Sequence, residues 1–221
     1  YEIGVRLVGS EMCIRDRLGV GDRVVGMAST SIDYLEKYSN DASIKNLGTI
    51  KEADLEAVME CEPDIIFIGG RLSKSYDALS EIAPVVYLAT DTNEGLVNSV
   101  SKNAKTIASI FGMEDKVDSL MSDFGARIDA IKKISSGKTA LVGMTTSGSF
   151  NLLGNDGRCS LIGVEAGFNN LTAAGSTSTH GNETSFETVV KQNPDYIFVM
   201  DRDSAISVSY THLTLPTNSL V

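Results

Sequence analysis

The sequence contains no tryptophan, three cysteines, two histidines and four prolines in 221 residues. It has no Cys-x-x-Cys pair, and neither histidine lies near a cysteine cluster, which argues against a zinc site of the usual kind. It also has no run of about 18 consecutive apolar residues, so no candidate membrane-spanning helix is visible. Basic runs are absent and the formal net charge is −10, which argues against nucleic acid as a partner.

The motifs of the common α/β enzymes are absent as well. No G-x-G-x-x-G, P-loop or G-x-S-x-G occurs, and nothing resembles a nucleophile paired with a base. The Ser/Thr-rich segments TTSGS and GSTSTHG fit turn and capping chemistry. A doubly wound enzyme is therefore the weaker alternative. Ester turnover that is lost in His180→Ala would support it.

The two ends of the chain carry no pattern that matches their surroundings. Residues 1–17 and 207–221 resemble stray translation of adapter DNA, so we expect two non-native tails outside the fold. The natural protein would then be cut at both ends. The first strand of the N-terminal lobe and the last part of the C-terminal lobe would be missing. We expect such a chain to fold poorly, because sheet edges and apolar faces would be uncovered.

Between these ends, short apolar runs alternate with helical patterns, which is typical of an α/β fold. The run DIIFIG at Asp64–Gly69 is apolar on both faces, as a parallel sheet requires. Apolar spacing predicts helices over Leu96–Phe111 and Val117–Ile134, the second about 30 Å long. A helix of that length predicts a strut between two lobes. The predicted organisation is an N-terminal lobe (18–95), linking helices (96–136) and a C-terminal lobe (137–206).

Shorter patterns complete the C-terminal lobe. Apolar runs predict strands at Thr139–Met144, Phe150–Leu153 and Asp195–Met200. Helical spacing predicts helices at Cys159–Ala166 and Ser185–Gln192. The C-terminal lobe is therefore also predicted to combine strands and helices as an α/β unit does.

One helix–strand pattern occurs twice. Asp54–Arg71 and Ser185–Arg202 align without a gap at a period of about 130 residues, which is too long for a solenoid. The aligned pairs are Glu56 with Glu187, Pro63 with Pro194, Asp64 with Asp195, Phe67 with Phe198 and Arg71 with Arg202. The repeat predicts two similar lobes, each with a strand that ends in an arginine.

These arginines predict a binding site. Ligands of open α/β sheets bind beyond the carboxyl ends of the parallel strands, where Arg71 and Arg202 are expected, one from each lobe at a shared cleft. Arg158 lies in the turn GNDGR, whose glycines let the backbone approach a ligand. Guanidinium groups are planar and permanently charged, so three of them favour an oxygen-rich anion.

Several separated segments resemble the substrate-binding proteins of iron–siderophore ABC transporters, in particular the catecholate type. The resemblance spans about residues 18–206 and is carried by LGVGDRVVGMA, LGTIKEADLEAVMECEPDIIFIGGR, YDALSEIAPVVYLATD and STHGNETSFETVVKQNPDYIFVMDR. It implies the class III fold of the helical-backbone metal receptors, in which one long helix joins two Rossmann-like α/β lobes. It also implies a binding protein, not an enzyme, that delivers a ferric siderophore to an ABC importer.

The resemblance assigns ligand-binding residues. Arg71, Arg158 and Arg202 would hold the catecholate–iron anion, and His180 would be a ligand of Fe³⁺ in the siderophore complex. The tyrosine expected beside this histidine is missing, and Tyr210 in the C-terminal tail is no substitute. No intrinsic cofactor is implied. Heme, a cobalamin or a hydroxamate siderophore remain alternative ligands for the same fold.

The resemblance also implies a membrane partner. Glu187, and by internal symmetry Glu56, would dock onto the permease of the importer. Stabilisation of the helix starts is the alternative role for both carboxylates. We expect a monomer that works in a periplasm or is lipid-anchored on the outer face of the cytoplasmic membrane.

Overall fold

The computed structural model describes residues 5–8, 12–30, 32–91, 95–146, 148–157, 159–172 and 181–202. The chain divides into two compact units. The first contains Tyr1–Glu94 and Asn98–Ser122, and the second contains Gly95–Val97 and Asp123–Val221. Each unit combines strands and helices, so the predicted α/β class with two lobes is confirmed.

A parallel sheet organises the first unit. Its strands are β1 (Val5–Val8), β2 (Val24–Met27), β3 (Lys45–Asn46), β4 (Ile65–Ile68) and β5 (Val85–Tyr87). They lie in the order β3-β2-β1-β4-β5, and every pairing is parallel. The accompanying helices are α1 (Met12–Leu18), α2 (Glu36–Ser39), α3 (Leu55–Glu60) and α4 (Tyr76–Ser80), with 3₁₀ turns at Gly21–Arg23, Asp33–Leu35 and Gly70–Ser75.

The N-terminal segment corrects one expectation. Residues 1–17 were expected to lie outside the fold, with the first strand missing, but β1 occupies the centre of the sheet between β2 and β4. Val5 pairs with Val24 on one side and with Ile65 on the other. The physical reason is that an extended aliphatic run satisfies the backbone groups of both neighbouring strands. The non-native origin of residues 1–17 stays a prediction.

Two clusters of buried apolar side chains cover the two faces of this sheet. Phe67 belongs to a cluster that also contains Leu18, Val24, Met27 and Ile107. Ile66 and Ile68 belong to the other cluster, together with Leu47, Val58, Leu72 and Leu79. Strand β4 is therefore buried on both faces, as its continuous apolar run predicts.

Two long helices follow the first sheet. They are α5 (Leu96–Phe111) and α6 (Glu114–Ser135), and Gly112 between them adopts a positive φ of 64°. The 22 residues of α6 correspond to about 33 Å of helix. Its residues up to Ser122 belong to the first unit and those from Asp123 to the second, so the predicted long connecting helix is present.

A mixed sheet organises the second unit. Its strands are β6 (Thr139–Thr146), β7 (Ser149–Leu152), β8 (Asn169–Asn170), β9 (Asn182–Glu183) and β10 (Tyr196–Asp201). The order is β10-β6-β7-β9, and β8 pairs with the start of β6. Strand β10 runs parallel to β6, whereas β7 is antiparallel to it and to β9. The second sheet is therefore less regular than the first.

Two helical segments connect these strands. Leu161–Glu165 forms a π-helical turn where the sequence predicts an α-helix over Cys159–Ala166. Helix α7 (Phe186–Gln192) precedes β10. Val142, Met144 and Leu153 form the buried centre of the unit, and Phe198 and Met200 pack against it. Among the helices described, none is long and apolar enough to cross a bilayer.

Candidate functional site

The repeat corresponds to two helix–strand units with matching helix starts. Helix α3 leads into β4, and α7 leads into β10. The Asp54 carboxylate accepts a hydrogen bond of 3.0 Å from the backbone N–H of Ala57. At the aligned position, Ser185 Oγ accepts one of 3.3 Å from the N–H of Thr188. Both helices therefore begin with a side-chain cap at the same position of the repeat.

The ends of the two helices match as well. Glu62 has a φ of 50° and Asn193 a φ of 43°, and they are the only non-glycine residues with a positive φ in the described ranges. They occupy aligned positions, and each directly precedes the proline that stops the helix. The chain therefore enters β4 and β10 through the same left-handed turn.

Arg202 follows β10 and is held at the carboxyl end of the second sheet. The pairing of β10 with β6 places Asp201 opposite Thr145. Arg202 Nη1 donates a hydrogen bond of 2.8 Å to Thr146 Oγ1. Thr145 Oγ1 donates one of 3.1 Å to Asp201 Oδ1. The last residues of β6 thus fix the guanidinium group of Arg202, which is partly buried.

Arg71 lies after β4 at the carboxyl end of the first sheet. Its side chain is exposed and forms no hydrogen bond or ion pair with any other described residue. The next residue, Leu72, is buried and anchors the 3₁₀ turn. The exposed Tyr87 at the end of β5 lies nearby, since its hydroxyl is 3.7 Å from where a Cβ on Gly70 would stand. The side chain of Arg71 is therefore accessible to a ligand, and Tyr87 lies near the residue that precedes it.

Arg158 and His180 lie outside the described residues, so their predicted roles rest on the sequence. The turn before the π-helical segment is closed by a 3.0 Å hydrogen bond from the Ser160 N–H to the carbonyl oxygen of Gly157. Asn170 Nδ2 donates a bond of 3.1 Å to Asn155 Oδ1 in the same loop. Within the described ranges, no group of three or more His, Cys, Asp or Glu side chains is arranged to hold a metal ion.

Glu56 and Glu187 lie in the first turns of α3 and α7, and both are exposed. The pKa of Glu187 is lowered, first by a hydrogen bond from its own backbone N–H and then by one from the Ser185 hydroxyl. This geometry agrees with a role in stabilising the helix start. It leaves both carboxylates accessible to a partner.

Two residues near the arginines were not identified from the sequence. Thr146 lies beyond the predicted end of the strand at Met144, although β6 extends to Thr146. Tyr87 is exposed at the end of β5, although its neighbours in the sequence are apolar.

A profile of the family described as periplasmic binding protein matches residues 10–214. The chain belongs to this family. Its relative the petrobactin-binding protein YclQ of Bacillus subtilis is 38% identical over 198 residues, which is 86% of this chain and 61% of the relative. The crystal structure of YclQ matches with a TM-score of 0.84 over 91% of this chain and 72% of that one, at 35% identity.

Two further proteins are similar to this chain. The catecholate-siderophore binding protein VctP of Vibrio cholerae matches with a TM-score of 0.86 at 28% identity, over 94% of this chain and 75% of that one. The ferric-anguibactin-binding protein FatB of Vibrio anguillarum is 24% identical over 217 residues, 94% of this chain and 67% of the relative. The chain thus spans only 61% of the length of YclQ and 67% of that of FatB, and its fold is the class III fold of the family.

Proposed function

We propose that this periplasmic binding protein captures a ferric siderophore of the catecholate type and delivers it to an ABC importer, without chemistry on the ligand. The observation that carries the proposal is the pair Arg71 and Arg202. They occupy aligned positions of the repeat, each just beyond a parallel strand at the carboxyl end of its sheet. The names of the petrobactin-, anguibactin- and catecholate-binding relatives support the same ligand class.

Recognition would be electrostatic. A ferric catecholate complex is an anion with many oxygen acceptors, and guanidinium forks donate two parallel hydrogen bonds to such groups. We propose Arg71, Arg158 and Arg202 for this role. The hydrogen bond to Thr146 orients Arg202 before the ligand arrives, which lowers the entropy lost on binding. Tyr87 offers an exposed aromatic surface for a catechol ring.

Iron would arrive already chelated, so Fe³⁺ is cargo and no intrinsic cofactor is required. We propose His180 as a ligand of the iron when the siderophore leaves a coordination position open. Neutral imidazole is a common ligand of iron. A siderophore that fills all coordination positions would make His180 dispensable.

Delivery requires that the protein meets the permease at the outer face of the cytoplasmic membrane. We propose that the protein works as a monomer in a periplasm, or tethered by a lipid to the outer face of the cytoplasmic membrane. Glu56 and Glu187 would form ion pairs with cationic residues of the permease. Their exposure in the first turns of α3 and α7 supports this role.

Calorimetric titration with ferric catecholate, ferric hydroxamate, heme and cobalamin tests the ligand class. Quenching of tyrosine fluorescence provides a second readout, because the chain contains seven tyrosines and no tryptophan. We expect the ferric catecholate to bind tightest. Arg71→Gln and Arg202→Gln should each raise its Kd about tenfold, whereas Arg127→Gln on the exposed side of α6 should not. Tighter binding of the hydroxamate complex, or no catecholate binding by the intact protein, would contradict the proposal.

A further inference from the structure

A buried asparagine holds the loop that leads to Arg158. Asn170 lies in β8 and is 3% exposed. Its Nδ2 group donates hydrogen bonds of 3.0 Å to the carbonyl oxygen of Leu153 and of 3.1 Å to Asn155 Oδ1. Its Oδ1 atom accepts one of 3.0 Å from the backbone N–H of Thr172. One side chain therefore joins the loop after β7 to the segment after β8.

These bonds use most of the hydrogen-bonding capacity of the Asn170 side chain, because both of its N–H donors and one acceptor site are occupied. A buried carboxamide costs free energy unless such bonds are made. An apolar side chain of similar size would fill the same space without that cost. The attachment of the loop is therefore the contribution that an asparagine makes at this position.

A second contact fixes Asn155 within the loop. A Cβ atom on Gly163 would overlap Asn155 Oδ1 and would lie 2.7 Å from its Nδ2, so the carboxamide lies directly against the backbone of the π-helical turn. Glycine at position 163 permits this close approach. Turns of the π type are rare and frequently occur at functional sites. Asn155 is thus held both by Asn170 and by the π-helical turn.

The chain is anchored on both sides of Arg158. Asn155 precedes Arg158 by three residues. Beyond Arg158, Ser160 is buried, and its backbone N–H donates a hydrogen bond of 3.0 Å to the carbonyl oxygen of Gly157. A side chain on an anchored backbone loses less conformational entropy when it binds a ligand than one on a free loop. The network therefore favours binding by the arginine that the loop carries.

We propose that Asn170 and Asn155 are positioning residues of the siderophore site, which fix the loop that carries Arg158. The inference rests on the proposed function, in which Arg158 binds the ferric catecholate. It adds two uncharged residues that act through the backbone of the loop and not through contact with the ligand. Their removal should weaken binding although every arginine of the site is retained.

Calorimetric titration of the full chain with ferric catecholate measures the effect. We expect Asn155→Ala to raise the Kd about three- to tenfold and Asn170→Ala to raise it at least about tenfold. Gly163→Ala should resemble Asn155→Ala, because the added methyl group displaces the carboxamide of Asn155. Thr139→Val is the matched control. It loses a 3.0 Å hydrogen bond to Asp195 at the start of β6 and should bind as the wild type does.

Combination with Arg158→Gln tests whether the asparagines act through the arginine. In that background Asn155→Ala should cause no further loss of affinity. An undiminished loss there would assign Asn155 a general structural role and overturn the inference. Urea unfolding of each variant measures its stability beside its affinity. If Asn170→Ala fails to fold, Asn155→Ala and Gly163→Ala decide the question, since each leaves the bond from Asn170 to Leu153 in place.

The outcomes separate this inference from the proposed function. If the wild type binds ferric catecholate and both Asn155→Ala and Gly163→Ala bind it equally well, the inference is overturned and the ligand proposal stands. Wild-type affinity in Arg158→Gln also overturns the inference alone. If the wild type binds no ferric catecholate, the ligand proposal fails, and the positioning role fails with it. Weaker binding by both variants that disappears in the Arg158→Gln background supports the inference.

Discussion

Arg71 and Arg202 share a position in the repeat but differ in their surroundings. Arg202 is partly buried and donates to Thr146, whereas the side chain of Arg71 is exposed and forms no hydrogen bond with the other described residues. A guanidinium group that is already oriented loses less side-chain entropy when it binds. In the proposed ligand-binding role, Arg202 would therefore act as an oriented donor to an anion, and Arg71 as an adaptable one.

This difference makes Thr146 a positioning residue for Arg202. We expect Thr146→Val to raise the Kd for ferric catecholate about three- to tenfold, because the side chain of Arg202 loses its hydrogen-bond acceptor. Thr146→Ser keeps the hydroxyl group and should retain affinity. Thr145→Val is the matched control, since that hydroxyl group binds Asp201 instead. Calorimetric titration provides the measurement.

A double-mutant cycle distinguishes positioning from a general structural role. In the Arg202→Gln background, Thr146→Val should cause no further loss of affinity. An equal additional loss in that background would show that Thr146 acts independently of the arginine.

At the scale of elements, the sequence predicted the repeated unit well. The prolines at positions 63 and 194 mark the break between helix and strand, and both helix–strand units lie where the alignment places them. Local chemistry determines these elements: side-chain caps begin the helices and prolines prevent their continuation. Arg71 and Arg202 could be located for that reason.

The errors arise where long-range pairing decides the structure. The run VRLV near the N-terminus has no helix or turn signals of its own, and only its pairing with β2 and β4 makes it a strand. The antiparallel direction of β7 likewise depends on its tight turn after β6, which residue periodicity does not report. The contact between Arg202 and Thr146 joins strands far apart in sequence, so it could not be predicted from local pattern.

The turns at Glu62 and Asn193 give a prediction for the helix ends. A left-handed conformation is unfavourable for glutamate, is tolerated by asparagine and is free of steric cost for glycine. We expect Glu62→Gly to stabilise the protein by about 0.5 kcal/mol. This is the backbone strain relieved at the turn minus the conformational entropy that glycine adds to the unfolded state. Asn193→Gly should change the free energy of unfolding by less, because asparagine already fits the turn.

Urea unfolding of the two variants beside the wild type measures both free energies. Ala57→Gly is the control, because Ala57 lies inside α3 and glycine there should destabilise by about 1 kcal/mol. Destabilisation by Glu62→Gly would show that contacts of the glutamate side chain outweigh the backbone strain.

At the scale of the whole molecule, the edges of the two sheets are protected unequally. In the first sheet, β3 has two residues including Lys45, and β5 has three residues. In the second, β9 has two residues and carries Glu183. Strand β10 is six residues long and lies at the end of the strand order, with Ile197 and Val199 half exposed. Short or charged edges resist pairing with other chains, and a long apolar edge does not.

The net charge of −10 opposes association through this edge at low ionic strength. Added salt screens that repulsion and leaves the apolar attraction in place. We therefore expect a monomer in dilute, low-salt solution and reversible self-association as protein concentration and salt rise. Val199→Lys should shift this association to at least about tenfold higher concentration, because a lysine on an edge strand disfavours pairing.

Sedimentation velocity over a range of salt and protein concentrations measures this association. Ile134→Lys is the control, since it places the same charge at an exposed position of α6 that lies outside both sheets. If both variants reduce self-association equally, net charge controls it and the edge of β10 does not. If only Val199→Lys reduces it, the molecule associates through the edge of β10.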